Sequence, residues 1–148
     1  MSLPKVAICG VARTPIGKFM GALSSMSAVQ LGVLTVQELC RRVGIQPTDG
    51  IIDEVVFGQV LQAGVGQNPA RQVAIGAGLP VKTPCVTINK VCGSSLKAAM
   101  IAANSIRAGE YNVVVAGGME SMSNAPHLLM NHRNCLLYTS DAADESVG

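Results

Sequence analysis

Asn89-Lys90-Val91-Cys92-Gly93-Ser94-Ser95-Leu96-Lys97-Ala98 decides how this chain is read. Before it, Cys85-Val86-Thr87-Ile88 is short, apolar and β-branched, as a buried strand should be. After it, Ser94 to Arg107 predicts a helix that Gly109 ends. That helix carries Leu96, Ala98, Ala99, Met100, Ile101, Ala102, Ala103 and Ile106. It is apolar nearly all round, so burial on every side is expected. Cys92 therefore falls on a tight strand-to-helix turn. Unpaired N–H groups and the positive end of the helix dipole are expected to point at its sulfur. Such a place suits a thiolate, and the oxyanion that a thiolate attack creates. A cysteine in apolar surroundings is also at home as an inert small hydrophobe.

The rest of the chain repeats the pattern. Val6 to Val11 is a continuous apolar run and predicts a first strand, broken by Pro15 and Gly17. Ser27-x-x-Gln30 is a capping box. Val29, Val33, Val36, Cys40 and Val43 then form one helical face, and Gly44 closes it. Cys40 is core on that face. Ile51 to Phe57 reads as a second strand, and Gly58 to Gln67 as a loop with no phosphate-binding pattern. Asn68-Pro69 caps a short helix running to about Gly76. Val113 to Ala116 is a fourth strand, ending in Gly117-Gly118. Strands alternating with helices predict an α/β fold: a mostly parallel sheet with right-handed crossovers and helices on both faces. Chemistry in such sheets gathers at the carboxyl ends of the strands. Cys92, the Arg13 turn and the Gly117-Gly118 turn are expected there.

Composition narrows the function. The chain has 148 residues, 49% of them apolar and 14% charged, which excludes a disordered chain. A formal charge of +2, no Trp, and only two Phe and two Tyr give no nucleic-acid surface. No run approaches the ~18 apolar residues of a membrane span. The five cysteines form no C-x-x-C pair, so neither a zinc site nor a disulfide framework is expected. Free thiols point to a reducing compartment, with the cytoplasm as default.

Three stretches resemble one family. Asn89-x-x-Cys92-x-Ser94-Ser95-x-x-Ala98 resembles the nucleophile motif of the thiolases. Arg13-Thr14-Pro15-Ile16-Gly17 resembles the segment that follows their first strand. Gly117-Gly118-Met119-Glu120-Ser121-Met122-Ser123 resembles a further signature, although by itself it reads as a glycine-rich turn. Lys90-Val91 is closer to the biosynthetic branch than to the degradative 3-ketoacyl-CoA thiolases, which tend to carry Arg-Gln there.

The resemblance implies an incomplete layered half-domain over residues 1–120 and the start of a loop domain over 121–134. It also implies an acyltransferase that condenses two acetyl-CoA to acetoacetyl-CoA and CoA, or the reverse, through an acetyl-Cys92 intermediate. Asn89, Gly93 and Ser94 would support the nucleophile turn, and the Cys92 N–H would serve as a possible oxyanion donor. No cofactor is implied, because coenzyme A thioesters are the substrates. The family's activating histidine, second catalytic cysteine and most coenzyme A contacts lie further along a complete chain. The fragment alone is therefore expected to be inactive, and its parent a homodimer or homotetramer.

A helix N-terminus supplies only about 0.3–1 kcal/mol, less than a factor of ten in any equilibrium. A strong nucleophile there needs a base or cation beside it. His127 and His132 match no catalytic pattern and read as loop residues. Residues 135–148, Cys135 included, match nothing in the family pattern. They resemble a translated sequencing adapter and are set aside from fold reasoning.

A degradative 3-ketoacyl-CoA thiolase, which would share Cys92, is the nearest alternative, and two other classes stand beside it. Cys92-Gly93-Ser94 superficially resembles the papain-type cysteine run. Ser95 stands where that run has its second Cys, there is no Trp, and the histidines are too near in sequence. A non-catalytic binding or structural module is the other alternative.

Overall fold

A computed structural model describes residues 4–130. Helix α1 (Ala28–Val43) is followed by strand β1 (Glu54–Gly58), helix α2 (Pro69–Ala77), strand β2 (Cys85–Ile88), helix α3 (Ser94–Arg107) and strand β3 (Val114–Gly118). All pairings are parallel, in the order β2-β1-β3. Val55 is opposite Cys85 on one side and Val115 on the other.

Strand direction alternates side chains between two layers. Val55, Phe57 and Val115 pack with Val36 and Cys40 of α1 and with Ala70, Val73, Ala74 and Ala77 of α2. Val56 is equally buried but stands apart from that cluster, as do Ala98 and Ala102 on α3. The two crossovers leave in opposite directions from the β1–β2 pair. Right-handedness then puts α2 and α3 on opposite faces of the sheet. The expected α/β class with helices on both faces is what forms.

Local signals explain the helix ends. Ser27 Oγ accepts the Gln30 N–H at 3.2 Å, and Gln30 Oε1 accepts the Ser27 N–H at 2.8 Å. Gly44 ends α1 at φ 76°, the left-handed region that favours glycine. Gly32 lets α1 approach α2: an added Cβ would lie 2.6 Å from a Val73 methyl.

Asn68 stands before α2 as expected, but its side chain does not make the cap. Its amide donates to the Cys85 carbonyl and accepts from Thr87 Oγ1, and the Thr87 hydroxyl takes the Ala70 N–H. A residue of β2 thus caps α2.

Two expectations are corrected. Val6 to Val11 is not a strand: it makes no ladder hydrogen bond among the described residues. Ile8 and Val11 are 87% and 70% exposed. The segment packs Gly10 against Val43 and Leu39, and Arg42 donates to the Val11 carbonyl at 2.9 Å. An apolar run becomes a strand only beside a free edge. Here a cleft of about 770 Å³ separates the segment from the outer edge of β3. Nor is α3 buried all round. Ser94, Ala98 and Ala102 face the sheet, whereas Leu96 and Met100 are 70% and 50% exposed. One sheet covers one face of a helix, and nothing among the described residues covers the other.

Asp53 fastens the approach to β3. Its Oδ2 accepts the N–H groups of Asn112 and Val113 at 2.7 and 2.9 Å. These bonds, Val113 first, hold its carboxyl below the usual carboxylate range. A depressed value stabilises the fold above the unfolded group's titration and loses that contribution as pH falls through the folded value. Asp53→Ala should therefore cost about 1 kcal/mol at pH 7, below the roughly 1.5–3 kcal/mol of bonds to a charged group because solvent screens this half-buried carboxylate. In urea melts the gap from the unsubstituted chain should narrow below about pH 4. An equal gap at pH 7 and pH 3 would overturn this account.

Candidate functional site

The three strands run the same way, so their carboxyl ends share one edge of the sheet. The turn after β2 is built there by its own side chains. Val91 has φ 49°, the left-handed region, which costs an L-residue about 1–2 kcal/mol. It is held there from both sides. Asn89 Oδ1 accepts the Val91 N–H at 2.9 Å. The buried Ser94 hydroxyl donates to the Val91 carbonyl at 2.6 Å and accepts the Lys90 N–H at 2.8 Å. A β-branched residue in that region persists only where its surroundings over-determine it, and such positions cluster at functional sites.

Cys92 follows immediately and is exposed. Among the described residues, no acceptor takes its N–H and no side chain bonds its sulfur. The expected fan of free N–H groups at the helix start is corrected in part. The Gly93 N–H is bonded to the Lys90 carbonyl at 3.0 Å, and the Ser94 N–H to the Val91 carbonyl at 3.1 Å. The left-handed turn at Val91 brings those carbonyls round to meet them. Gly93 is the N-cap residue, with a helical-side φ of −89°. A Cβ there would sit 3.4 Å from the Lys90 carbonyl, so sterics alone do not demand glycine.

The other thiols are less available. Burial pushes both Cys40 and Cys85 up from the ordinary thiol range. Cys40 is 1% exposed in the core, and Cys85 donates to the Thr83 carbonyl at 3.3 Å. Cys9 is exposed on the N-terminal segment. His127 is exposed in the stretch after β3, while His132 and Cys135 lie outside the described residues. Among the described residues no three of His, Cys, Asp and Glu come together as metal ligands. Among the described residues no helix is long and apolar enough to cross a membrane.

Two features escape a reading of the sequence. The first is the cleft between the N-terminal segment and β3. It is lined by Arg13 and Phe19 on one side and by Gly117 and Glu120 on the other, and Cys92 is not part of its lining. The second is Glu120. Its carboxylate accepts the Val60 N–H at 2.9 Å and the Leu61 N–H at 3.3 Å. The Val60 carbonyl accepts from Asn89 Nδ2 at 3.3 Å. The Gly-Gly-x-Glu run was the available signal, but it reads equally well as a turn.

A parallel α/β sheet that presents an exposed cysteine on a strained strand-to-helix turn, at the carboxyl ends of its strands, is an arrangement suited to nucleophilic chemistry. Comparison with known proteins narrows the class. The family model described as "Thiolase, N-terminal domain" matches residues 6–147, a span that includes most of the stretch set aside above, and the chain belongs to the thiolase family. It is 56% identical over 146 residues to a cytosolic acetyl-CoA acetyltransferase of Gibberella zeae, covering 99% of this chain and 36% of that one. It is 54% identical over 129 residues to an acetyl-CoA acetyltransferase of Cupriavidus necator, covering 87% and 32%. An Ascaris suum thiolase solved in complex with coenzyme A superposes with a TM-score of 0.80 at 45% identity, over 83% of this chain and 32% of that one. The chain thus spans about a third of the length of the relatives it matches.

Proposed function

We propose that this chain carries the nucleophile-bearing part of a thiolase that condenses two acetyl-CoA to acetoacetyl-CoA and CoA, or runs the reverse. The observation that carries the reading is Cys92 itself: an exposed thiol with a free backbone N–H, on a turn locked by Asn89 and Ser94. The names of the relatives supply the acyl group and the carrier.

In the first step the Cys92 thiolate attacks the thioester carbonyl of one acetyl-CoA. The carbonyl oxygen takes up the negative charge, and the Cys92 N–H is positioned to donate to it. When the tetrahedral centre collapses, the bond to the coenzyme sulfur breaks and CoA leaves as a thiolate that takes a proton. Cys92 is left acetylated. In the second step the α-carbon of another acetyl-CoA gives up a proton and attacks the acetyl carbonyl, forming the new carbon–carbon bond and freeing Cys92. The base for that proton, and the group that activates Cys92, belong to the remainder of a complete enzyme. That enzyme works as a homodimer or homotetramer in the cytoplasm, the compartment named for one of the relatives.

The test is mass spectrometry after incubation with acetyl-CoA. The chain alone should take up no acetyl group. Joined to the remainder of a relative, it should take up one, on Cys92. No adduct on Cys92 in the joined protein would sink the nucleophile assignment. An adduct on the chain alone would show that the turn needs no further base.

A further inference from the structure

Glu120, Val60 and Asn89 come from the ends of three different strands and form one hydrogen-bonded chain. Glu120 follows β3 and accepts the N–H groups of Val60 and Leu61, which follow β1. The Val60–Leu61 peptide unit is engaged on both sides: its N–H points to Glu120, and its carbonyl accepts from the Asn89 amide. Asn89 follows β2, and its other amide atom, Oδ1, holds the Val91 N–H. The next residue is Cys92.

From this chain we infer that Glu120 is a positioning residue for Cys92, acting through the Val60–Leu61 peptide and Asn89. It deepens the reading of Cys92 as nucleophile and rests on it. A carboxylate accepting one end of a peptide unit polarises that unit and strengthens the bond its carbonyl accepts at the other end. The stronger that bond, the more firmly the Asn89 amide is oriented, with its oxygen fixed toward Val91. Glu120 itself makes no hydrogen bond to Val91 or Cys92. It is partly buried, and its two oxygens are spent on the loop after β1 rather than on a cation. Without it the Asn89 amide is free to turn. Val91 can then leave the left-handed region, and the sulfur leaves the end of α3.

The experiment needs no acetyl-CoA. Cys92 and Cys9 are both exposed, and Cys9 is remote in sequence, on the N-terminal segment. Alkylation by iodoacetamide, mapped by peptide mass spectrometry, gives the Cys92-to-Cys9 rate ratio within one sample. Glu120→Ala should lower that ratio at least about threefold, from loss of charge-assisted orientation. Glu120→Gln keeps one acceptor oxygen and should fall between the two. In an Asn89→Ala background neither substitution should lower the ratio further, because the route passes through Asn89.

An unchanged ratio in Glu120→Ala with a lowered melting temperature would make Glu120 purely structural and overturn the inference. Multiplicative effects in the double variant would do the same. If Glu120→Ala fails to fold, Glu120→Gln carries the test: its fall must vanish beside Asn89→Ala. Failure of the acyl-transfer reading is distinguishable, since the variants would then show this alkylation pattern while the protein joined to the remainder of a relative took up no acetyl group on Cys92.

Discussion

Gly58→Ala is expected to destabilise the chain by about 3 kcal/mol, the upper range for overpacking a tight contact. Gly58 is the last residue of β1, and the first turn of α3 lies directly on it. A Cβ there would run into the Ser94 Cβ and stand 2.8 Å from the Ser94 carbonyl carbon and 3.0 Å from the Ser95 nitrogen. Two of these atoms are backbone, so no rotamer change relieves the clash. Ser94 cannot swing aside either, because its hydroxyl is bonded to both Lys90 and Val91. The helix must move as a body, taking the Cys92 turn with it. Against a total stability of about 5–15 kcal/mol such a loss is severe. Denaturant melts would measure it, and a cost under about 1 kcal/mol would show that the α3 contact is softer than drawn. Gly118→Ala is the natural comparison. Its Cβ would meet the Ser95 hydroxyl, which can rotate away, and would then stand 3.0 Å from the Gly58 carbonyl oxygen, a tight contact but a milder one, so the penalty there should be smaller.

Cys92→Ser should lower acyl transfer by the joined, complete protein by at least about a thousandfold, as removal of an essential nucleophile does elsewhere. The substitution changes one atom and keeps the turn. Ser at this position still has its N–H free, and Asn89 and Ser94 still hold Val91. What is lost is the thiolate: a hydroxyl is a weak nucleophile unless a base takes its proton during attack. Melting should therefore be nearly unchanged while turnover collapses. A rate within tenfold of the unsubstituted protein would place the nucleophile elsewhere. Cys40 is not a ready substitute, being sealed in the core, and Cys85 is half-buried with its thiol bonded to Thr83.

How far the sequence could be read depended on whether a signal was local. The Ser27-x-x-Gln30 box, the Gly44 stop and the strand Cys85–Ile88 follow from neighbours a few residues apart, and all three formed as read. Val6 to Val11 has equally strong strand character, yet whether it pairs depends on an edge more than a hundred residues away. The outer face of α3 shows the same limit: hydrophobicity says that Leu96 and Met100 want cover, not what supplies it. At the site, the turn was legible because Asn89 to Ser94 act on one another. Glu120 was not, because its bonds reach backbone groups about sixty residues earlier, and backbone groups have no sequence signature. Val91 gave no warning of its left-handed conformation, since nothing in a valine announces it.

The strand order has a consequence for how the chain is made. β1 is central and is synthesised first; β2 then joins one side of it, and β3 later joins the other. Each strand leaving the ribosome therefore meets an edge already waiting, and none has to be inserted between two earlier ones. Cys85, the partner of Val55 on β2, is half as far along the chain from it as Val115, its partner on β3. Doubling a loop adds only about 0.6 kcal/mol of closure entropy. The sheet can thus grow outward during translation with little penalty at each addition, and the Asn89 amide that holds the Cys92 turn is not braced from behind until β3, bringing Glu120, has emerged.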